Sequence, residues 1–143
     1  MKILRMSRVD LPEVALLSEQ LGYPVSLQDV EARFDEISTR SDYALFVAKV
    51  EDKNVVGWTQ INKESKSLLI ADYADVAALV VDEHYRGKGV GKLLLQEAEK
   101  WAQQNQMKLI RIRSNAKRTD AHRFYIREGY QVSKLSNIFI KRC

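Results

Sequence analysis

Cysteine is all but missing from this 143-residue chain: the only one, Cys143, is its last residue. No internal disulfide can form, nothing points to an oxidising compartment, and a lone terminal thiol is a poor catalytic nucleophile. Histidine is nearly as scarce. His84 and His122 stand far apart with no cysteine between them, so the spacing makes no zinc site and no metal is expected. Long apolar runs are absent as well. No stretch reaches the length of a bilayer span, and residues 1–10 lack the apolar block of a secretory signal, so a cytoplasmic protein with no membrane partner is expected. Aromatic residues make up 8% and are not interleaved with lysine and arginine, while the net charge of +4 is dispersed along the chain. That pattern argues against a nucleic-acid partner. Proline occurs twice, and no repeat or low-complexity segment is visible.

What is present suits one domain over residues 1–143, with 45% apolar residues to build a core. Ile3 and Leu4 read as a short first strand. Asp10 before Leu11-Pro12 reads as the N-cap of a helix that carries Val14, Leu17 and Leu21 at helical spacing and stops at Gly22. Ser26 caps a second helix, with Leu27, Val30, Phe34 and Ile37 on one face. Strands follow at 43–50 and 55–62, joined by a turn, and residues 68–71 read as a further short strand. Residues 75–81 are almost continuously apolar, as a central strand covered on both faces would be. A helix with Val90, Leu94, Ala98 and Trp101 on one stripe comes next, then a strand at 109–113 and a last helix ending at Gly129. The segments 130–133 and 137–141 read as a closing hairpin. This mixed order predicts an α/β (α+β) fold with a mostly antiparallel central sheet and helices on both faces.

Between the central strand and the third helix lies Arg86-Gly-Lys-Gly-Val-Gly-Lys92. Such a turn offers backbone N–H groups to an anion, the first turn of a helix adds unpaired donors and a positive dipole end, and Arg86, Lys88 and Lys92 add full charges. A phosphate or diphosphate is the natural guest. The Walker loop fails, because Arg86 stands at its first glycine and Leu93 at its hydroxyl position. The dinucleotide fingerprint fails too, because Lys92 occupies its third glycine and the acidic residue it needs further on is missing.

The remaining pattern, Arg86-x-x-Gly89-x-Gly91 after an apolar strand, resembles the coenzyme A signature of the GNAT superfamily of N-acetyltransferases. Downstream, residues 115–130 resemble that family's last helix, with an asparagine after a strand and then Ala-x-x-Phe-Tyr-x-x-x-Gly-Tyr. The two motifs stand in the family's order, and the resemblance covers most of the chain from about Val55. It implies the fold already expected, with the fourth and fifth strands splayed around the pantetheine arm, a gap that periodicity does not reveal.

The resemblance also implies roles. Acetyl-CoA would be the co-substrate, its diphosphate held by Arg86, Gly87, Lys88, Gly89, Val90, Gly91 and Lys92 and its pantetheine by the backbone of Leu79, Val80 and Val81. Asn115, His122 and Phe124 would join the coenzyme side. Tyr125 would be the acid that protonates the departing thiolate, since a phenol, with a pKa of about 10 in model peptides, is a plausible donor to a strongly basic thiolate. Asp75 is the favoured base, with bulk water as the alternative. Tyr23, Trp58, Asp72 and residues 134–137 would line the acceptor site, and the acidic residues would suit a polyamine, an aminoglycoside or a lysine side chain. The implied reaction is acetyl transfer to a primary amine of a small molecule or peptide. Alternatives are a non-catalytic acyl-CoA-binding module acting through a partner, a protein N-terminal or lysine acetyltransferase, and transfer of a longer acyl chain. Family members often pair through edge strands, so a homodimer is also an expectation.

Overall fold

The computed structural model describes residues 1–51, 54–65, 67–113 and 119–143, and the chain divides into two compact units, Met1–Ile112 and Arg113–Cys143. The first unit contains β1 (Lys2–Arg5), α1 (Leu11–Gln20), α2 (Leu27–Ile37), β2 (Tyr43–Val50), β3 (Asn54–Glu64), β4 (Tyr73–Val81), α3 (Val90–Gln104) and β5 (Ile110–Ile112). Its strands lie in chain order, antiparallel from β1 to β4 and parallel only between β4 and β5. A meander needs only short turns, whereas a parallel pair needs a long crossover, and α3 supplies it. The expected mixed, mostly antiparallel sheet is therefore present.

Register divides the strand residues between two faces. Val47, Trp58 and Val80 lie abreast on β2, β3 and β4, and they pack with Val14 and Leu17 of α1 and with Val30 of α2. One step along, Ala48, Gly57 and Val81 lie abreast on the opposite face, which α3 covers. The α3 helix sits so close that a Cβ on Gly57 would come within 3.0 Å of Val90 and Leu94 side chains and 2.9 Å of the Val80 carbonyl. Leu94, Leu95 and Val90 are among the most deeply buried side chains, so this close seat is a large part of the core.

Local chemistry sets the helix starts. Ser26 Oγ accepts from Asp29 N at 3.1 Å and the Asp29 carboxylate accepts from Ser26 N at 3.4 Å, a reciprocal cap that begins α2 as expected. Asp10 is the N-cap residue of α1 as expected, but its side chain makes no capping hydrogen bond to that helix. The chain enters α1 through a single 3-10 turn at Arg8–Asp10, so Asp10 already has helical angles, and its carboxylate accepts from Ser7 N at 2.8 Å and pairs with Lys49 at 2.6 Å. Both partners are largely buried, and a buried carboxylate needs a counter-charge more than α1 needs a cap. At the start of β2, hydrogen bonds from Arg40 hold the exposed Asp42 carboxyl below its ordinary range.

Three expected strands do not form, one at 68–71 and two in the closing hairpin. Residues 68–71 contain no strand, and Leu68 and Leu69 are fully exposed. The β3–β4 ladder closes at Glu64↔Tyr73, so the connection lies beyond it with nothing to pair. The second unit contains α4 (Thr119–Arg127), ended at Gly129, and no strand from 130 to 143. Val132, Leu135, Ile138, Phe139 and Ile140 are all exposed, so the expected hairpin has no face to bury and loses what would hold it together. Phe124, Tyr125 and Tyr130 form a chain of edge-on ring contacts, with centroids 5.3 and 6.2 Å apart.

Gly57→Ala is expected to lower stability by about 1–3 kcal/mol, because the carbonyl it meets is main chain and cannot turn away. Urea denaturation of both proteins measures this, and an unchanged midpoint would contradict the close seat of α3.

Candidate active site

The β4 strand changes register halfway along. Gln60 faces Ala78 but Ile61 faces Val76, so Ala77 has no partner on β3 and forms a bulge. Thr59 Oγ1 donates to the Ala78 carbonyl at 2.8 Å beside it. A bulge bends its strand and increases its twist. On the other edge, β5 pairs only with Ala74, Val76 and the residue between them. Past this three-residue ladder, residues 77–81 have no strand neighbour on that edge among the described residues. Tyr73–Val76 and Val80 are buried, as a strand covered on both faces should be, but Ala77 is exposed and Ala78 and Leu79 are half-buried, so the cover lapses there. A row of main-chain donors and acceptors faces outward there for about 13 Å, at 3.3 Å per residue.

That open edge runs into the glycine turn. Asp82 accepts from His84 N at 2.9 Å to start one 3-10 turn at Glu83–Tyr85, and the chain then reverses through Arg86–Gly89 into α3. Gly87 and Gly89 have φ of +74° and +86°, left-handed angles that glycine adopts without cost. Apart from their own residue and chain neighbours, nothing lies within 4 Å of where their Cβ atoms would be, so their surroundings are open. Gly89 is the N-cap of α3 and supplies no side chain, and no acidic residue occupies the first turn. The N–H groups of Val90, Gly91 and Lys92 therefore have no intrahelical acceptor and stand at the positive end of the helix dipole. Arg86, Lys88 and Lys92 are exposed around them, Lys88 Nζ lying 5.2 Å from the Tyr85 ring centre. Among the described residues none of the three is in an ion pair. A compact anion fits this cradle, and an extended tail carrying amide groups fits the adjoining edge as an added strand would.

At the far end of β4 the sheet turns polar. Tyr43, Asn62, Asp75 and Arg111 stand abreast on four successive strands. Asp75 and Asn62 are 8% and 6% exposed, and Asn62 Nδ2 donates to Glu64 Oε1 at 3.0 Å. The Arg111 guanidinium lies 4.6 Å from the Tyr73 ring centre. Asp75 thus lies inside the sheet among polar neighbours, while Asp72 is exposed just before the strand. Asn62 and Arg111 escaped the sequence reading. Each is a polar residue inside an apolar strand, which is a signal, but only the register brings them beside Asp75.

The other predicted residues fall in separate places. Leu79, Val80 and Val81 are on the open edge, and residues 86–92 make the cradle. Trp58 packs against the α1 cluster with its Nε1 buried and unbonded among the described residues. Tyr23 is 56% exposed in the α1–α2 connection. His122, Phe124 and Tyr125 lie in one turn of α4, and Asn115 falls outside the described residues. Among the described residues no helix is long and apolar enough to cross a membrane, and no three metal-ligating side chains gather.

Residues 12–130 match the acetyltransferase (GNAT) family, and the chain belongs to it. It is 46% identical over 59 residues to an aminoalkylphosphonate N-acetyltransferase of Salmonella typhimurium, and 31% identical over 118 residues to a streptothricin acetyltransferase of Escherichia coli. Those stretches are 41% and 80% of this chain, and the chain spans 38% and 64% of the two relatives' lengths. The aminoglycoside N-acetyltransferase AAC(6')-Iy, solved with the bisubstrate analogue CoA-S-monomethyl-acetylneamine, superposes with a TM-score of 0.88 at 17% identity, over 99% of this chain and 98% of that one. The fold is that of the GNAT acetyltransferases.

Gly87→Ala and Gly89→Ala are each expected to cost about 1 kcal/mol, because open space around them does not relieve a left-handed backbone. Thermal unfolding checks this, and no loss at either position would mean that the turn adopts another conformation.

Proposed function

We propose that this protein transfers an acetyl group from acetyl-CoA directly to a primary amine of a small molecule. The observation that carries the reading is the continuity of the open β4 edge with the uncapped N-terminus of α3. Together they offer an anion cradle and, next to it, a strip of backbone donors and acceptors, which are the needs of a diphosphate joined to an amide-bearing arm. The residues present fit the coenzyme. The family and the activities for which the relatives are named support the same reaction, and relatives named for aminoalkylphosphonate and streptothricin favour a small acceptor over a peptide.

When bound, acetyl-CoA supplies its acyl group as a thioester: the amine nitrogen bonds to the carbonyl carbon, the carbon–sulfur bond breaks, and sulfur leaves as a thiolate. The amides of Val90, Gly91 and Lys92 hold the diphosphate, and Arg86, Lys88 and Lys92 offset its charge. Backbone groups of Leu79, Val80 and Val81 align the arm, and an N–H near Leu79 polarises the carbonyl. Asp75 accepts the proton that the ammonium must lose, and Tyr125 donates one to the thiolate. On this reading Asn115, His122 and Phe124 belong to the coenzyme side, and Tyr23, Trp58 and Asp72 to the acceptor side. A soluble, cytoplasmic protein is proposed with it, as is pairing of two copies through edge strands.

Calorimetry with coenzyme A and thiol release from acetyl-CoA with a panel of amines test the reading. Wild-type protein is expected to bind coenzyme A, and Lys88→Ala and Lys92→Ala to weaken binding roughly threefold to tenfold each, more so at low salt. No uptake at millimolar coenzyme A would end the proposal, and uptake with no release for any amine would favour a non-catalytic acyl-CoA-binding module. Tyr125→Phe is expected to lower turnover roughly 100-fold with coenzyme affinity kept, and an unchanged rate would remove Tyr125 from the mechanism.

A further inference from the structure

We infer that Arg111 selects the acceptor: the amine this site takes also carries an acidic group, such as a phosphonate or carboxylate, a few atoms from its nitrogen. The inference rests on the acetyl-transfer reading and narrows its substrate class.

Three observations carry it. Arg111 stands directly across the parallel ladder from Asp75, so two opposite charges project from the same face of neighbouring strands, whose backbones lie about 4.8 Å apart. The guanidinium lies over the ring of Tyr73, a buried residue of that face, with its carbon 4.6 Å from the ring centre, a contact that restrains the side chain without using its N–H donors in hydrogen bonds. Among the described residues Arg111 donates no hydrogen bond and joins no ion pair. The third observation is position. The ladder ends one residue further on, at Val76↔Ile112, and beyond it the β4 edge is open. A chain lying along that edge from the α3 cradle reaches its end beside the Asp75–Arg111 pair.

Charge then chooses among acceptors. A carboxylate beside a guanidinium matches a molecule with an ammonium at one end and an anion at the other. Asp75 faces the ammonium and is placed to take its proton, and Arg111 grips the anion with two parallel N–H bonds. A polyamine would set a second positive charge against Arg111, and an amine with a neutral tail would leave the guanidinium without a partner. The polyamine suggested by Asp72 and Asp75 alone is therefore disfavoured once their neighbour across the ladder is counted.

Three acceptors of matched length test the idea with the whole chain: 2-aminoethylphosphonate, β-alanine and propylamine, each followed by thiol release from acetyl-CoA. The expected result is a kcat/KM for at least one acidic amine roughly 30-fold or more above that for propylamine, with the better of the two naming the anion. Arg111→Gln is expected to remove the preference, the loss falling on KM for the acidic amine while KM for acetyl-CoA is kept. Arg111→Lys, which retains the charge, is expected to keep part of it. Propylamine turned over as fast as both acidic amines overturns the inference and leaves acetyl transfer standing. Arg111→Gln lowering all three rates equally, or Arg111→Lys losing the preference as fully as Arg111→Gln, makes Arg111 a structural residue and also overturns it. Coenzyme A uptake with no release for any of these three amines, while another amine of the panel is acetylated, overturns the inference alone, and no release across the whole panel sinks both readings.

Discussion

The parting of β4 from β5 is the constraint on which the rest of the first unit depends. A parallel neighbour would satisfy the main chain of β4 along its whole length, but the ladder lasts three residues and the bulge at Ala77 turns the strand away. A strand one place in from the edge of the sheet is thereby left with an open side over its last five residues. Open edges invite pairing, and here the invitation is short, lined by small residues where it begins, and ended by a 3-10 turn. A ligand with its own amide groups can complete what β5 leaves off.

The parallel pair that creates the fork also requires the helix that serves it. Parallel strands need a crossover, and a crossover beginning just after β4 sets the N-terminus of α3 at the end of the open edge. Gly57 lets α3 lie close on the sheet, and Gly87 and Gly89 let the chain reverse tightly enough to present amides rather than side chains. One helix is therefore a structural crossover and a wall of the core, and its first turn leaves three main-chain N–H groups without an intrahelical acceptor. At the opposite end of β4, the row from Tyr43 to Arg111 replaces apolar packing with polar side chains, so the strand passes from an open main-chain edge to a charged side-chain face.

Much of this was legible beforehand. The glycine turn and its basic neighbours could be read residue by residue, because a tight main-chain reversal before a helix is written locally as glycines. The reciprocal cap at Ser26 and Asp29 was legible for the same reason. Local pattern misled where partners were needed. Residues 68–71 and 130–143 have the apolar content of strands, yet a strand exists only where another lies beside it. Asp10 stands at the cap position that was expected, but its carboxylate balances a largely buried lysine that is distant in sequence, which no local rule anticipates.

The amino-acid order by itself determined the helices, the reversal at Arg86–Gly89 and the family to which the chain belongs, because each rests on contacts within a few residues. Tertiary structure alone decided where β4 and β5 separate and that Asp75 has Arg111 beside it, because strand register is set by packing across the whole sheet. A shift of one residue would carry either side chain to the other face.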